Sequence, residues 1–204
     1  MHVDLSKLSP NRAYFTLIQA VIPRPIAWVL SNNANDTLNL APFSYFNMVC
    51  SDPPLLMLSI GKKRDGSLKD TRRNIIERTH FVVHIPQRAQ VAAVNESSRE
   101  LPFGQSELNT QQLATELFEG FPLPRLSACP IALGCSLHQF TEIGPQQQAL
   151  ILGLIETMYI DDAIVDEDAN GRIRIDPIPL DPLSRLGGDD YGALSDVLRL
   201  PRPR

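Results

Sequence analysis

His80 and His84 stand at the i, i+4 spacing of a zinc-binding pair, but Phe81, Val82 and Val83 lie between them with no glutamate. That stretch reads as a strand, so the two are expected to be strand histidines and not metal ligands. Cys50, Cys129 and Cys135 sit in apolar runs, which points to buried, inert thiols and not to a nucleophile. Asp166, Asp168, Asn170 and Gly171 match the first half of a calcium loop. Its twelfth position is Pro177 where a bidentate glutamate is needed, so the segment is expected to be a solvated hairpin turn, and no metal site is expected. Ser67-Leu68-Lys69-Asp70 has capping-box spacing, with Ser67 capping a helix start and Asp70 reaching back. Free backbone N–H groups and the positive end of the helix dipole, next to Ser67, Lys69 and Thr71, suit a bound phosphate. An ordinary solvated helix start reads equally well from these residues, and taken alone it is the commoner case.

The elements that must hold such residues follow from composition and pattern. The chain has 204 residues, 19 basic against 23 acidic, a formal charge of −4 and 43% hydrophobic residues. One domain spanning 1–204 is expected, since a chain of this size can bury its apolar surface around one core. The mild acidic excess, with basic runs only at Lys62-Lys63-Arg64 and Arg72-Arg73, argues against a nucleic-acid or anionic-membrane partner. The longest apolar run, Ala149 to Ile155, is too short to span a bilayer. The polar N-terminus lacks a signal-peptide core and the cysteines form no disulfide framework, so a cytoplasmic protein is expected. Seventeen prolines against eleven glycines favour strands and turns over helices.

Strands are expected at Pro25 to Val29, bounded by the Ser31-Asn32-Asn33 turn cluster, and at Leu55 to Ile60. Between them Thr37 to Cys50, interrupted by Pro42, reads as an edge or bulged strand. Leu68, Ile75 and Ile76 share one face of a short helix running to about Arg78. Phe81 to Ile85 reads as a strand and Gln87 to Asn95 as a short helix. Glu96 to Pro124 shows no period beyond one helical turn near Glu107. Cys129 to Ile143 and Gln147 to Ile160 form a long hairpin about Gly144-Pro145. Asp168-Ala169-Asn170-Gly171 signals a further turn before a strand from Arg172 to Ile175. From about residue 177 a Pro/Gly-rich tail follows. The pattern is that of an antiparallel β domain with a few short helices.

No G-x-S-x-G elbow, P-loop or G-x-G-x-x-G occurs, which removes the common hydrolase and nucleotide-binding classes. Pro23-Arg24-Pro25-Ile26-Ala27-Trp28-Val29, then Asn39-Leu40-Ala41-Pro42-Phe43-Ser44-Tyr45-Phe46, Ser51-Asp52-Pro53-Pro54, and Lys69-Asp70-Thr71 with Asn74-Ile75 resemble, in order and spacing, the flavin reductase-like, FMN-binding split-barrel family. Asn95-Glu96-Ser97-Ser98, the Pro102 to Glu107 segment and Arg185-Leu186-Gly187-Gly188 with Tyr191 resemble its later motifs. The resemblance covers roughly Tyr14 to Tyr191. Gly134 and Met48 depart from it, standing where a polar or acidic residue and a smaller one would be expected.

The resemblance implies a mainly β, antiparallel split β-barrel that forms a homodimer and holds FMN near the subunit interface. Carried over by motif, Asn39, Leu40, Ala41, Pro42, Phe43 and Ser44 would line the isoalloxazine, partly through backbone groups. Ser59, Lys69, Asp70, Thr71 and Asn74 would surround the ribityl-phosphate end, with Arg24 close by. Phe43, Tyr45 and Phe46 serve equally well as core aromatics. The implied activity is hydride transfer from NAD(P)H to flavin and onward to an acceptor, with a partner monooxygenase among the recipients. The cofactor carries that chemistry, so no catalytic side chain is expected. A carrier or sensor that binds flavin without turnover is the alternative, and the same barrel holding pyridoxal phosphate or haem is a third reading.

Overall fold

The computed structural model describes residues 1–102, 104–167, 171–201 and 203. The first long element is a helix not among those expected, α1 (Pro10–Ala20). Ser9 caps it, its Oγ accepting from the Arg12 N–H at 3.4 Å, and Pro10 occupies the first turn, where its missing N–H is not needed. Only Ile18 of this helix is buried.

The segment expected as one strand at Pro25 to Val29 is two, β1 (Arg24–Pro25) and β2 (Ala27–Asn32). Ser31 and Asn32 belong to β2, so the turn falls later than expected, where Asp36 N–H donates to Asn33 O. The run Thr37 to Cys50 likewise divides, into β3 (Leu38–Phe43) and β4 (Phe46–Ser51), and β5 (Pro54–Ile60) follows. Next come α2 (Asp70–Arg78), β6 (His80–His84), a 3-10 turn at Arg88–Gln90, α3 (Val91–Glu96) and α4 (Glu107–Gln111). Short strands β7 (Thr115–Glu116) and β8 (Arg125–Leu126) precede the hairpin of β9 (Ile131–Ile143) and β10 (Gln148–Ile160). The chain closes with β11 (Val165–Glu167), β12 (Ile173–Ile175), α5 (Pro177–Leu180), β13 (Ser184–Arg185) and β14 (Tyr191–Gly192). Of the turn expected at 168–171, residues 168–170 lie outside the described residues.

Seven strands form one antiparallel sheet in the order β3-β2-β6-β9-β10-β5-β4. Its edges, β3 and β4, are consecutive in the chain and joined only by Ser44 and Tyr45, so the sheet must curl until they meet. The Ser59 N–H donates to the Tyr45 carbonyl at 2.9 Å, which carries the β4–β5 ladder back into the two-residue link. The result is an antiparallel split β-barrel. Each face of the sheet carries its own core. Ala27, Val29, Leu56, Leu58, Phe81, Val83 and Ile151 pack together on one, and Trp28, Leu30, Leu40, Val82, Phe121 and Leu126 on the other. Burial on both faces explains why β2 reads as an unbroken apolar run.

Several expectations need correction. Ser67 does not cap α2: its Oγ donates to Asp65 Oδ1 at 2.6 Å, in a turn that Asp65 closes locally. Leu68 bridges back to Lys62 as extended chain, so it is not on the helix face, and Lys69 is the N-cap residue without a side-chain cap. Cys50 is exposed, because β4 is an edge strand with its run beyond Phe46 outside both cores. Cys129 and Cys135 are buried as expected, and burial pushes the Cys129 thiol up to about 12. The region after 177 is no free tail: β13 pairs with β1 (Arg24 with Arg185), and Gln87 pairs with Pro182. Gly134 lies against Phe121 and Thr157, whose side-chain carbons would stand 2.8 Å from an added Cβ. No larger residue fits that site without repacking.

Candidate functional site

An open cleft runs along β3, between the start of α2 and residues 97–101. From β3 it takes Asn39, Ala41, Pro42 and Phe43, and from the helix start Lys69, Asp70 and Thr71. A buried polar network fixes these two elements against each other. Asn39 Nδ2 donates to Thr71 Oγ1 at 2.9 Å, and Asn74 Nδ2 donates to Ser31 Oγ at 3.1 Å and Asn33 Oδ1 at 2.8 Å. Bonds buried this well cost about 1–3 kcal/mol to break one-sidedly, so the network sets the distance between helix and strand. On the far wall Trp28 Nε1 donates to Ser97 Oγ at 2.8 Å, which pins the 97–101 segment to the core.

The charges of the cleft divide into paired and unpaired. Asp70 accepts from Lys63 at 3.1 Å, both side chains being largely buried. Arg99 pairs with Glu96 at 2.6 Å. Glu107 is buried and accepts the Leu40 N–H at 2.8 Å, fastening β3 from behind; burial raises its pKa, and that hydrogen bond partly opposes the rise. Lys69 has neither an ion pair nor a hydrogen-bond partner for its ammonium among the described residues, and its Nζ lies 5.6 Å from the Phe43 ring centroid. Burial lowers its pKa, with nearby Glu100 opposing and Lys63 adding to the effect. A desolvated cation beside an uncapped helix start is a receptor for an anion. Among the described residues no group of three His, Cys, Asp or Glu side chains could hold a metal ion.

Residues 19–175 match the model of the flavin reductase like domain. The chain belongs to this family. It is 36% identical over 208 aligned positions to an uncharacterized protein of Halalkalibacterium halodurans, covering 100% of this chain and 97% of that one. Among solved structures, nitrilotriacetate monooxygenase component B from Bacillus cereus superposes with a TM-score of 0.89 at 32% identity, over 98% of each chain. The 2-nitrobenzoate 2-nitroreductase of Pseudomonas fluorescens superposes at 0.86 with 30% identity, over 100% of this chain and 96% of that one.

In this flavin reductase-like chain the residues singled out in the sequence fall into four places. Asn39, Ala41, Pro42, Phe43, Lys69, Asp70 and Thr71 come together on the cleft. Leu40 and Asn74 are buried behind it, Leu40 held through its N–H by Glu107 and Asn74 within the polar network. Arg24 and Ser59 instead line a separate, largely apolar hollow of about 520 Å³ beside α1, and Ser44 lies between that hollow and a smaller one adjoining the cleft. There Arg24 donates to the carbonyls of Val21 at 2.9 Å and Leu186 at 2.7 Å and to Ser44 Oγ at 3.3 Å, tying α1 to the C-terminal segment. Ser67 is exposed in its own turn. Lys63 and Glu107 are cleft residues that motif reasoning did not single out individually. The Lys62-Lys63-Arg64 run was the available signal for the first, and the family-like Pro102 to Glu107 segment for the second, although its role as acceptor for Leu40 depends on where α4 packs.

Proposed function

We propose that the Lys69 cleft binds FMN and that the protein carries electrons from NAD(P)H to an acceptor. The observation that supports this most is Lys69, an unpaired, partly desolvated cation at a helix start, which suits a phosphate dianion. Bound FMN supplies the hydride-accepting chemistry, and the chain's own residues bind and orient. Lys69 and the first N–H groups of α2 would neutralise the phosphate. Thr71 and Asn39 keep β3 in register with the helix, and Glu107 holds the backbone of β3 so that Ala41 to Phe43 form a fixed wall. A partner monooxygenase is the acceptor we favour, because the similar Bacillus cereus protein is by name a component of one. Purified protein is expected to be yellow with FMN added and to oxidise NAD(P)H in its presence. A yellow protein without turnover would establish the carrier or sensor alternative, and a colourless one would overturn the flavin reading.

A homodimer belongs to the same proposal. Tyr14, Phe15 and Leu17 of α1 and Met48 and Val49 of edge strand β4 are exposed, near the hollow lined by Arg24, Ser44 and Ser59. Covering such a surface with a second copy would bury both the apolar side chains and the open strand edge. Light scattering at micromolar concentration is expected to give twice the chain mass. A monomer throughout would overturn the dimer.

A further inference from the structure

A second hollow, of about 130 Å³, adjoins the Lys69 cleft, and the two share Pro42, Phe43 and Ser98. Among the described residues lining it, Arg185 is the only charged one. Arg185 is paired across β13 and β14 with Tyr191, and its guanidinium carbon lies 4.5 Å from the Tyr191 ring centroid. Two of its N–H groups are used locally, donating to the carbonyls of Asp190 at 3.1 Å and Gly188 at 2.6 Å. Both acceptors are uncharged carbonyls, no ion pair with Arg185 is found among the described residues, and three of the five guanidinium donors remain. The Tyr191 hydroxyl is fixed in turn, donating to Asn95 Oδ1 at 3.1 Å. The hollow therefore combines one held, fork-shaped cation with flat and apolar walls from Phe43, Tyr191, Ile26 and Val94.

Resting on the flavin reading of the adjoining cleft, we propose that this hollow is a subsite for a small planar molecule bearing an anionic group, which pairs with Arg185 while its ring lies towards the shared Phe43 wall. A guanidinium matches a carboxylate or phosphate through two parallel N–H bonds, a geometry that an ammonium would not give. The anion has two chemical sources: the carboxylate of an aromatic electron acceptor, or the phosphate of the reduced nicotinamide.

The test uses FMN-loaded protein with benzoate and the uncharged benzamide as probes, followed by ligand-observed NMR and by the visible flavin band. Wild type is expected to bind benzoate more tightly than benzamide. Arg185→Gln is expected to lose about tenfold or more in benzoate affinity with benzamide unchanged and FMN affinity kept within twofold. Arg185→Lys keeps the charge without the fork and is expected to fall between; it also serves if the glutamine variant does not fold. A KM for reduced nicotinamide mononucleotide that rises about tenfold at constant kcat in Arg185→Gln, with benzoate indifferent, assigns the anion to the reductant. Benzoate binding and KM both unchanged in the two variants overturn the subsite. Repeating the benzoate titration without FMN separates the two claims: absence of FMN binding removes the flavin reading, while dependence on Arg185 still decides the hollow.

Discussion

Lys69→Ala is expected to weaken FMN binding by tenfold to a hundredfold, corresponding to a charge-assisted hydrogen bond of about 1.5–3 kcal/mol. Riboflavin, which lacks the phosphate, should bind the variant as it binds wild type. The structure sharpens this expectation, because Lys69 makes no ion pair or hydrogen bond through its ammonium among the described residues, and its removal breaks only the contact with the Phe43 ring. Its pKa is lowered by burial, so between that lowered value and the ordinary one the unfolded chain holds more protons than the folded one. The lysine charge thus costs the ligand-free fold some stability, and Lys69→Ala should melt within about 2 °C of wild type or above it. A bound dianion would push the pKa back up, so FMN affinity should fall as pH rises through the lowered pKa of the free protein, and the variant should lack that fall. Thr71→Val should give a smaller loss of FMN together with lower stability, since Asn39 Nδ2 loses the nearer of its two buried acceptors. Titrating both flavins by fluorescence quenching decides the matter. Equal losses for FMN and riboflavin in Lys69→Ala, or no loss for either, would remove the phosphate from this cleft.

The same residues show why some of the molecule is legible in its sequence and some is not. The long hairpin of β9 and β10 was readable because thirteen-residue strands repeat the two-residue period often enough to register. Helix α1 was passed over although Tyr14, Leu17, Ile18 and Val21 have helical spacing; the structure buries only Ile18 of that stripe and leaves the rest exposed. Two-residue strands such as β1, β13 and β14 have no period at all, so the C-terminal segment that packs on β1 looked like a tail. The capping-box spacing at Ser67 was misleading for a local reason: Asp65 competes for the serine two residues away and delays the helix to Asp70. For the candidate site, motif resemblance brought the β3 residues and the start of α2 to one cleft. It did not separate them from Arg24 and Ser59, since a single chain pattern cannot tell which side of the β3–β4 seam a residue faces.

The second large effect concerns His84, which no functional argument uses and which the structure places wholly within the barrel wall. Its Nδ1 stands 3.0 Å from the Trp28 carbonyl and its Nε2 accepts the Leu126 N–H at 2.9 Å, so the ring must be neutral with its proton on Nδ1. Protonation would set two donors against each other in a site without water access, and burial accordingly pushes the pKa down to about 4 from 6.5. Between those two values the unfolded chain takes up a proton at this histidine and the folded chain does not. Stability from His84 is therefore fully present above pH 6.5 and is lost progressively as pH falls towards 4, by about 3 kcal/mol in all. Denaturant melts of wild type at pH 7.5 and 4.5 should show that loss. His84→Gln should be less stable at pH 7.5, because it leaves a buried backbone group unsatisfied, yet lose less on acidification. If that variant does not fold, the imidazole resonances of the wild type serve instead, and His84 should show no titration above pH 5. A normal titration near 6.5, or the same acid loss in wild type and variant, would show that the neutral ring is not what holds Trp28 and Leu126 together.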